Sequence, residues 1–148
     1  MESFVNLSPV ALGVVIFGIV LLMAFIRYIE SQRLSKKYPD DEIILASFGV
    51  TWFGQESKID KPIRKTGAIA LVKNGIYYRS RFSGLETFIP GNSIKTIGTT
   101  DFFCDKPLND TVVQIAFKND EGELDRMAFR IPSPAKWILL LQKTLLNK

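Results

Sequence analysis

Arg79 and Arg81 stand two residues apart in the run Tyr77-Tyr78-Arg79-Ser80-Arg81. In an extended strand, that spacing puts both guanidinium groups on one face. Two such forks can clamp an anionic headgroup by charge-assisted hydrogen bonds. Further basic side chains, Lys58, Lys61, Arg64 and Lys65, crowd the polar stretch from Gly54 to Lys65. The plainer reading of each is a solvated surface charge. Other chemistry is narrowed by composition. The chain has no His and one Cys, Cys104. Imidazole acid–base catalysis and His-based metal sites are therefore excluded, as is an intrachain disulfide. Cys104 has no His to activate it, which makes it a structural thiol rather than a nucleophile. No G-x-S-x-G, phosphate-binding glycine loop or C-x-x-C occurs. Asp120, Glu121, Glu123 and Asp125 sit together at a hairpin tip, where solvated loop charge outweighs metal binding. The residues point to a protein that is not an enzyme and needs no cofactor or metal.

The elements that carry these side chains begin with a stretch unlike the rest. The chain has 148 residues, 47% of them hydrophobic, and a formal net charge of +4; that excess favours anionic surfaces. Its mean hydropathy is +0.13, a value raised by one apolar segment. From Ser3 to Ile26 there is no charged residue. About 20 apolar residues in a helix cross a hydrocarbon core of about 30 Å, and only a helix satisfies its own backbone there. The spacing predicts a short tail over 1–8, a transmembrane helix over 9–26 and a juxtamembrane helix and linker over 27–42. Pro9 suits a first helical turn capped by Ser8. A cleaved signal peptide would need a basic n-region and a small-residue cleavage site, and neither is present. Pro39 predicts a helix break at Tyr38. Basic residues follow the span, not precede it: Arg27, Arg33, Lys36 and Lys37, with Tyr28 as an interfacial aromatic. The positive-inside rule then puts the N-terminus outside and the C-terminal domain in the cytoplasm. A lone Cys suits that reducing compartment. Basic residues this close to the bilayer also attract anionic headgroups.

From Ile43 the pattern turns to period two with turn punctuation. Strands are expected over 43–52, 68–73, 76–82, 86–89, 94–103, 111–118 and 124–131. Asn74-Gly75 predicts a type I′ hairpin. Ile76, Tyr78, Ser80 and Phe82 are expected to share one face, Val113, Ile115 and Phe117 another. Residues 104–110 read as a loop containing Pro107, and Gly98 as a bend. Ser133-Pro134 predicts an N-cap and a first helical proline. The helix that follows carries Trp137, Ile138, Leu141 and Leu145 in one stripe, which should pack on the sheet.

About seven strands in meander order, then one amphipathic helix, resembles the pleckstrin-homology-like superfold, including GRAM-type and bacterial PH-like domains. The resemblance covers roughly 43–146. It rests on Ala68-Ile-Ala-Leu-Val-Lys-Asn-Gly-Ile-Tyr-Tyr-Arg79, on Phe88-Ile-Pro-Gly-Asn-Ser-Ile94 and on the terminal helix with Trp137. It implies a mainly β fold, a seven-stranded barrel or sandwich closed by the C-terminal helix. A lipocalin-like barrel would match the strand count but not that helix. Phosphoinositide-binding members are similar in a Lys near one strand's end and a basic-x-Arg pair in the next, which Lys73 with Arg79 and Arg81 would supply. The expected function is a membrane-anchored, non-enzymatic binding or scaffold module that recruits a partner protein. The alternative is anionic-lipid sensing by the basic hairpin. A nucleic-acid partner is not expected.

Overall fold

The computed structural model describes residues 8–58 and 64–146. Lys61 falls outside the described residues. The chain forms two compact units, Met1–Lys37 and Tyr38–Lys148.

The first unit is the helix α1, Pro9–Lys37, 29 residues long and about 43 Å from end to end at 1.5 Å per residue. Ser8 starts it: its Oγ accepts a hydrogen bond from the Ala11 N–H at 3.2 Å, and its carbonyl accepts from Leu12 N–H. Val15, Ile16 and Phe17, about 100° apart around the axis, are all exposed. A helix that is apolar on every side has no polar face to turn to water. It is long and apolar enough to cross a membrane. The helix runs unbroken past Ile26 and stops before Tyr38-Pro39.

The second unit is an antiparallel sheet of seven strands: β1 Ile43–Gln55, β2 Lys65–Val72, β3 Gly75–Ser80, β4 Glu86–Pro90, β5 Ile94–Phe103, β6 Lys106–Lys118 and β7 Leu124–Arg130. They lie in the order β4-β3-β2-β1-β7-β6-β5. The expected barrel closure is absent: the sheet is open, with β4 and β5 as its rims. A short 3-10 turn, Gly91–Ser93, joins these two strands in sequence without pairing them. The fold is mainly β. The helix α2, Pro134–Leu141, and a π-turn, Gln142–Leu146, complete it.

Several boundaries differ from the sequence expectation. The loop expected over 104–110 is a tight hairpin. Cys104 and Asp105 both have positive φ, 51° and 59°, the conformation of a two-residue hairpin turn, and β6 starts at once with Lys106. Asn109, at φ 56°, then bulges the strand, so the pairing jumps between Phe102↔Pro107 and Thr100↔Val112. Gly98 makes no bend; it pairs regularly with Gln114. β3 ends at Ser80, so Phe82 is not on its inner face but 88% exposed in the turn. Ser133 does not cap α2 by its side chain. It sits at φ 54° with its carbonyl accepting the Trp137 N–H.

The main core lies on one side of the sheet. Ile69, Leu71, Ile76, Tyr78, Val113, Ile115, Phe117 and Phe129 project into it, and Trp137, Leu141 and Leu145 of the C-terminal helix close it. The indole N–H of Trp137 donates to Ser47 Oγ at 2.9 Å. A smaller cluster, Phe53, Phe103, Leu108, Val112 and Ala128, fills the curl of the β5–β6 hairpin on the other side.

Candidate functional site

Both ends of the β2–β3 hairpin carry basic residues, and the register keeps them apart. Val72 pairs with Gly75 and Ala68 with Arg79. Lys73, exposed in the turn, therefore lies about 13 Å along the strands from Arg79, and about 20 Å from Arg81. The three do not converge on one anion. The Lys73 N–H donates to the Glu42 carbonyl at 3.2 Å, so this end of the sheet is also where the domain's chain begins.

Arg79 is bound to its cross-strand neighbour. Its Nη1 lies 3.5 Å from Glu86 Oε1, in register with it. Tyr77 O–H donates to the same oxygen at 2.6 Å. Burial, then the Glu86 acceptor, push the Tyr77 hydroxyl well above its ordinary range, so it remains a donor. The ring of Tyr77 meets Tyr38 edge-on at 5.3 Å. Arg79 is thus part of a Tyr77–Glu86–Arg79 cluster.

The far end of the hairpin gathers the other candidates. The Arg81 N–H donates to the Thr66 carbonyl at 2.8 Å, which sets Arg81 beside Lys65 and Arg64. The Arg64 guanidinium stands 5.6 Å from the Phe53 ring centroid, a cation–π distance. Tyr78 O–H holds the Lys65 carbonyl at 2.6 Å. Between β3 and β4 the chain turns through Arg81–Leu85, closed by the Ser80 N–H to the Leu85 carbonyl at 2.8 Å. Gly84 takes φ +66° there, open to glycine at little cost. The turn raises Phe82 into solvent with Leu85 beside it, 37% exposed. The alternation that placed Phe82 inward missed it because the strand had already ended.

Lys58 is exposed in the 3-10 turn Glu56–Lys58. It borders an open groove of about 370 Å³ between the rim strand β4 and the β6–β7 turn, with Phe88, Phe117 and Met127 on its walls. The membrane-flank residues Arg27, Tyr28, Arg33, Lys36 and Lys37 are exposed on the last turns of α1.

The acidic tip divides in two. Asp120, Glu121 and Glu123 are exposed, but Asp125 is 2% exposed. Its Oδ1 accepts from the Ser57 N–H at 3.1 Å and the Arg126 N–H at 2.9 Å. Its Oδ2 accepts from Gln55 Nε2 at 2.6 Å, from Asn119 Nδ2 at 3.3 Å and from Ser57 Oγ. Burial raises its pKa, but these donors outweigh it and hold the carboxyl below its ordinary 3.8. Asp125 is a structural anchor tying the end of β1 to the β6–β7 turn. Its signal was present in the sequence: it continues the inward parity of Met127 and Phe129. Among the described residues, no group of three His, Cys, Asp or Glu is placed to hold a metal. Cys104 is half-buried, and burial followed by the nearby Glu56, Asp105 and Asp125 raises its thiol pKa, away from thiolate reactivity.

No family model matches the chain. No curated protein matches it either. Among solved structures it is similar to a chain of the 8S snRNP assembly intermediate, at TM-score 0.52 and 8% identity over 74% of this chain and 83% of that one. It is also similar to the C-terminal domain of an unknown protein from Leishmania infantum, at TM-score 0.53 and 14% identity over 78% and 97%. At such identities the likeness is one of fold alone.

Proposed function

We propose that this protein is a membrane-anchored, non-enzymatic binding module whose sheet domain, on the cytoplasmic face, recruits a partner protein into a membrane assembly. The observation that carries the reading is the run of α1 from Pro9 to Ile26, apolar on every side, in a helix joined to the sheet by a few residues. Orientation follows from the basic residues that flank only its C-terminal end. We read the domain as PH-like; the strand order and the terminal helix closing the core support that. The partner surface in this reading is the groove along β4. Phe88, 44% exposed, offers an apolar contact there.

The test has two arms. Carbonate washing of membranes should leave the full chain in the pellet, with a C-terminal tag digested only in inverted vesicles. A Phe88→Asp variant should lose the protein that co-purifies with the wild type in mild detergent. Recovery in the aqueous fraction would overturn the anchor. A partner retained by the variant would overturn the groove. The second reading, anionic-lipid sensing, is favoured by one observation, the strand register that brings Arg64, Lys65 and Arg81 to the same end of the β2–β3 hairpin as the exposed Phe82.

A further inference from the structure

We infer that the β3–β4 turn is a membrane-contact tip: Phe82 and Leu85 enter the headgroup region of an anionic bilayer while Arg64, Lys65 and Arg81 meet its charge. This rests on the anchored topology proposed above. Two features of the turn support it. Phe82 is 88% exposed, the most exposed of the domain's aromatic side chains among the described residues. An aromatic ring raised on a tight turn is costly in water and suited to the lipid interface. Basic residues stand at the same end of the hairpin in the strand register: Arg64 is exposed, Lys65 and Arg81 are half-buried.

The bilayer is the occupant because the tether supplies it. Only the residues from Arg27 to Glu42 separate the apolar run from the start of the domain's first strand. The tip lies about 17 Å along the sheet from that start, five register steps from Gly75 to Ser80. A domain on so short a leash meets the membrane surface at high effective concentration. The acidic turn with Asp120, Glu121 and Glu123 is repelled by the same surface. The contact is therefore one-sided, with the β3–β4 turn inward and the β6–β7 turn away.

The experiment uses the full chain carrying Cys104→Ser, reconstituted in vesicles and spin-labelled at one of three positions. Ser83→Cys reports the tip, Leu139→Cys the outer side of α2, and Leu21→Cys the anchor. Accessibility to oxygen is compared with that to a water-soluble nickel chelate. In phosphatidylcholine–phosphatidylserine vesicles, the tip label should prefer oxygen as the anchor label does, while the label on α2 prefers nickel. That preference should be lost in phosphatidylcholine alone and in a Phe82→Ser/Leu85→Ser variant. A nickel preference at the tip beside an oxygen preference at the anchor overturns this inference and leaves the anchor standing. A nickel preference at both overturns both. Equal oxygen preference without phosphatidylserine overturns the charge component. A tip label already shielded in lipid-free detergent assigns the turn to a protein contact and overturns the inference.

Discussion

Asp125 shows how a side chain that reads as surface charge can be an interior anchor. The sequence places it beside Asp120, Glu121 and Glu123, and no local pattern separates them. Only its parity with Met127 and Phe129 does so, and parity becomes decisive once the end of β1 is known to fold over it. Its oxygens receive hydrogen bonds from Gln55, Ser57, Asn119 and Arg126. Asp125→Ala would remove the one acceptor shared by these part-buried donors, at a cost of about 1–3 kcal/mol; thermal unfolding of the full chain in detergent measures it. The pH dependence has a definite sign. The folded carboxyl sits below its unfolded value of 3.8, so its stabilisation is complete above that value. It is lost as pH falls through the lower folded value. Acid titration of the unfolding temperature should fall more steeply below pH 3.8 for wild type than for Asp125→Asn. An equal slope would remove Asp125 from the account. The basic candidates show the opposite outcome. Arg79 and Arg81 are two apart in sequence, yet one is matched with Glu86 and the other lies beyond the strand's end.

At the scale of elements, period and punctuation located most strands and failed where the backbone does something particular. Asn74-Gly75 announces a hairpin by residue type, but the expected type I′ turn is not formed there. The two turn residues are Lys73 and Asn74, Asn74 and Gly75 both lack the positive φ that turn needs, and Gly75 already pairs with Val72 as the first residue of β3. Cys104-Asp105 makes an equally tight turn, but cysteine carries no turn signal, so the start of β6 was hidden. β1 holds a second lesson. Leu45 and Ser47 pair with Leu71 and Ile69, whereas Val50 and Trp52 pair with Gly67 and Lys65. The bulge at Gly49, φ +68°, adds one residue and exchanges the inward parity. Close packing of strands makes Gly67 irreplaceable: a Cβ there would lie 2.0 Å from the Arg79 carbonyl oxygen. Gly67→Ala should destabilise by about 1–3 kcal/mol and weaken the hydrogen-exchange protection of β2 and β3. The terminal helix was legible from its stripe alone, since Trp137, Leu141 and Leu145 all reach the core. Trp137→Ala should cost about 3–5 kcal/mol, read by denaturant unfolding followed by near-UV circular dichroism. A loss below 1 kcal/mol would mean that the sheet holds together without its lid.

For the whole molecule, the long apolar helix was the plainest feature of the sequence, because an uncharged run of that length admits few structures. In the proposed anchor, its direction rests on charge placement. Arginine in place of Ile16, near the middle of the run, should disfavour insertion by about 3 kcal/mol, shifting the chain toward the carbonate supernatant. Moving the basic flank, by neutralising Arg27, Arg33, Lys36 and Lys37 and adding lysines before Ser8, should invert the protease-protection pattern. An unchanged pattern would mean that the folded domain, not the flank, decides topology. The open sheet itself has a consequence for life on a surface. Proteins confined to a bilayer meet one another often, and bare sheet margins invite them to stack into ribbons. Here one margin is only five residues long and ends in Pro90, which offers no N–H. The other is irregular at both ends and lends its Ile97 carbonyl to Gln142. Such margins give a second copy little continuous edge to pair with along its length.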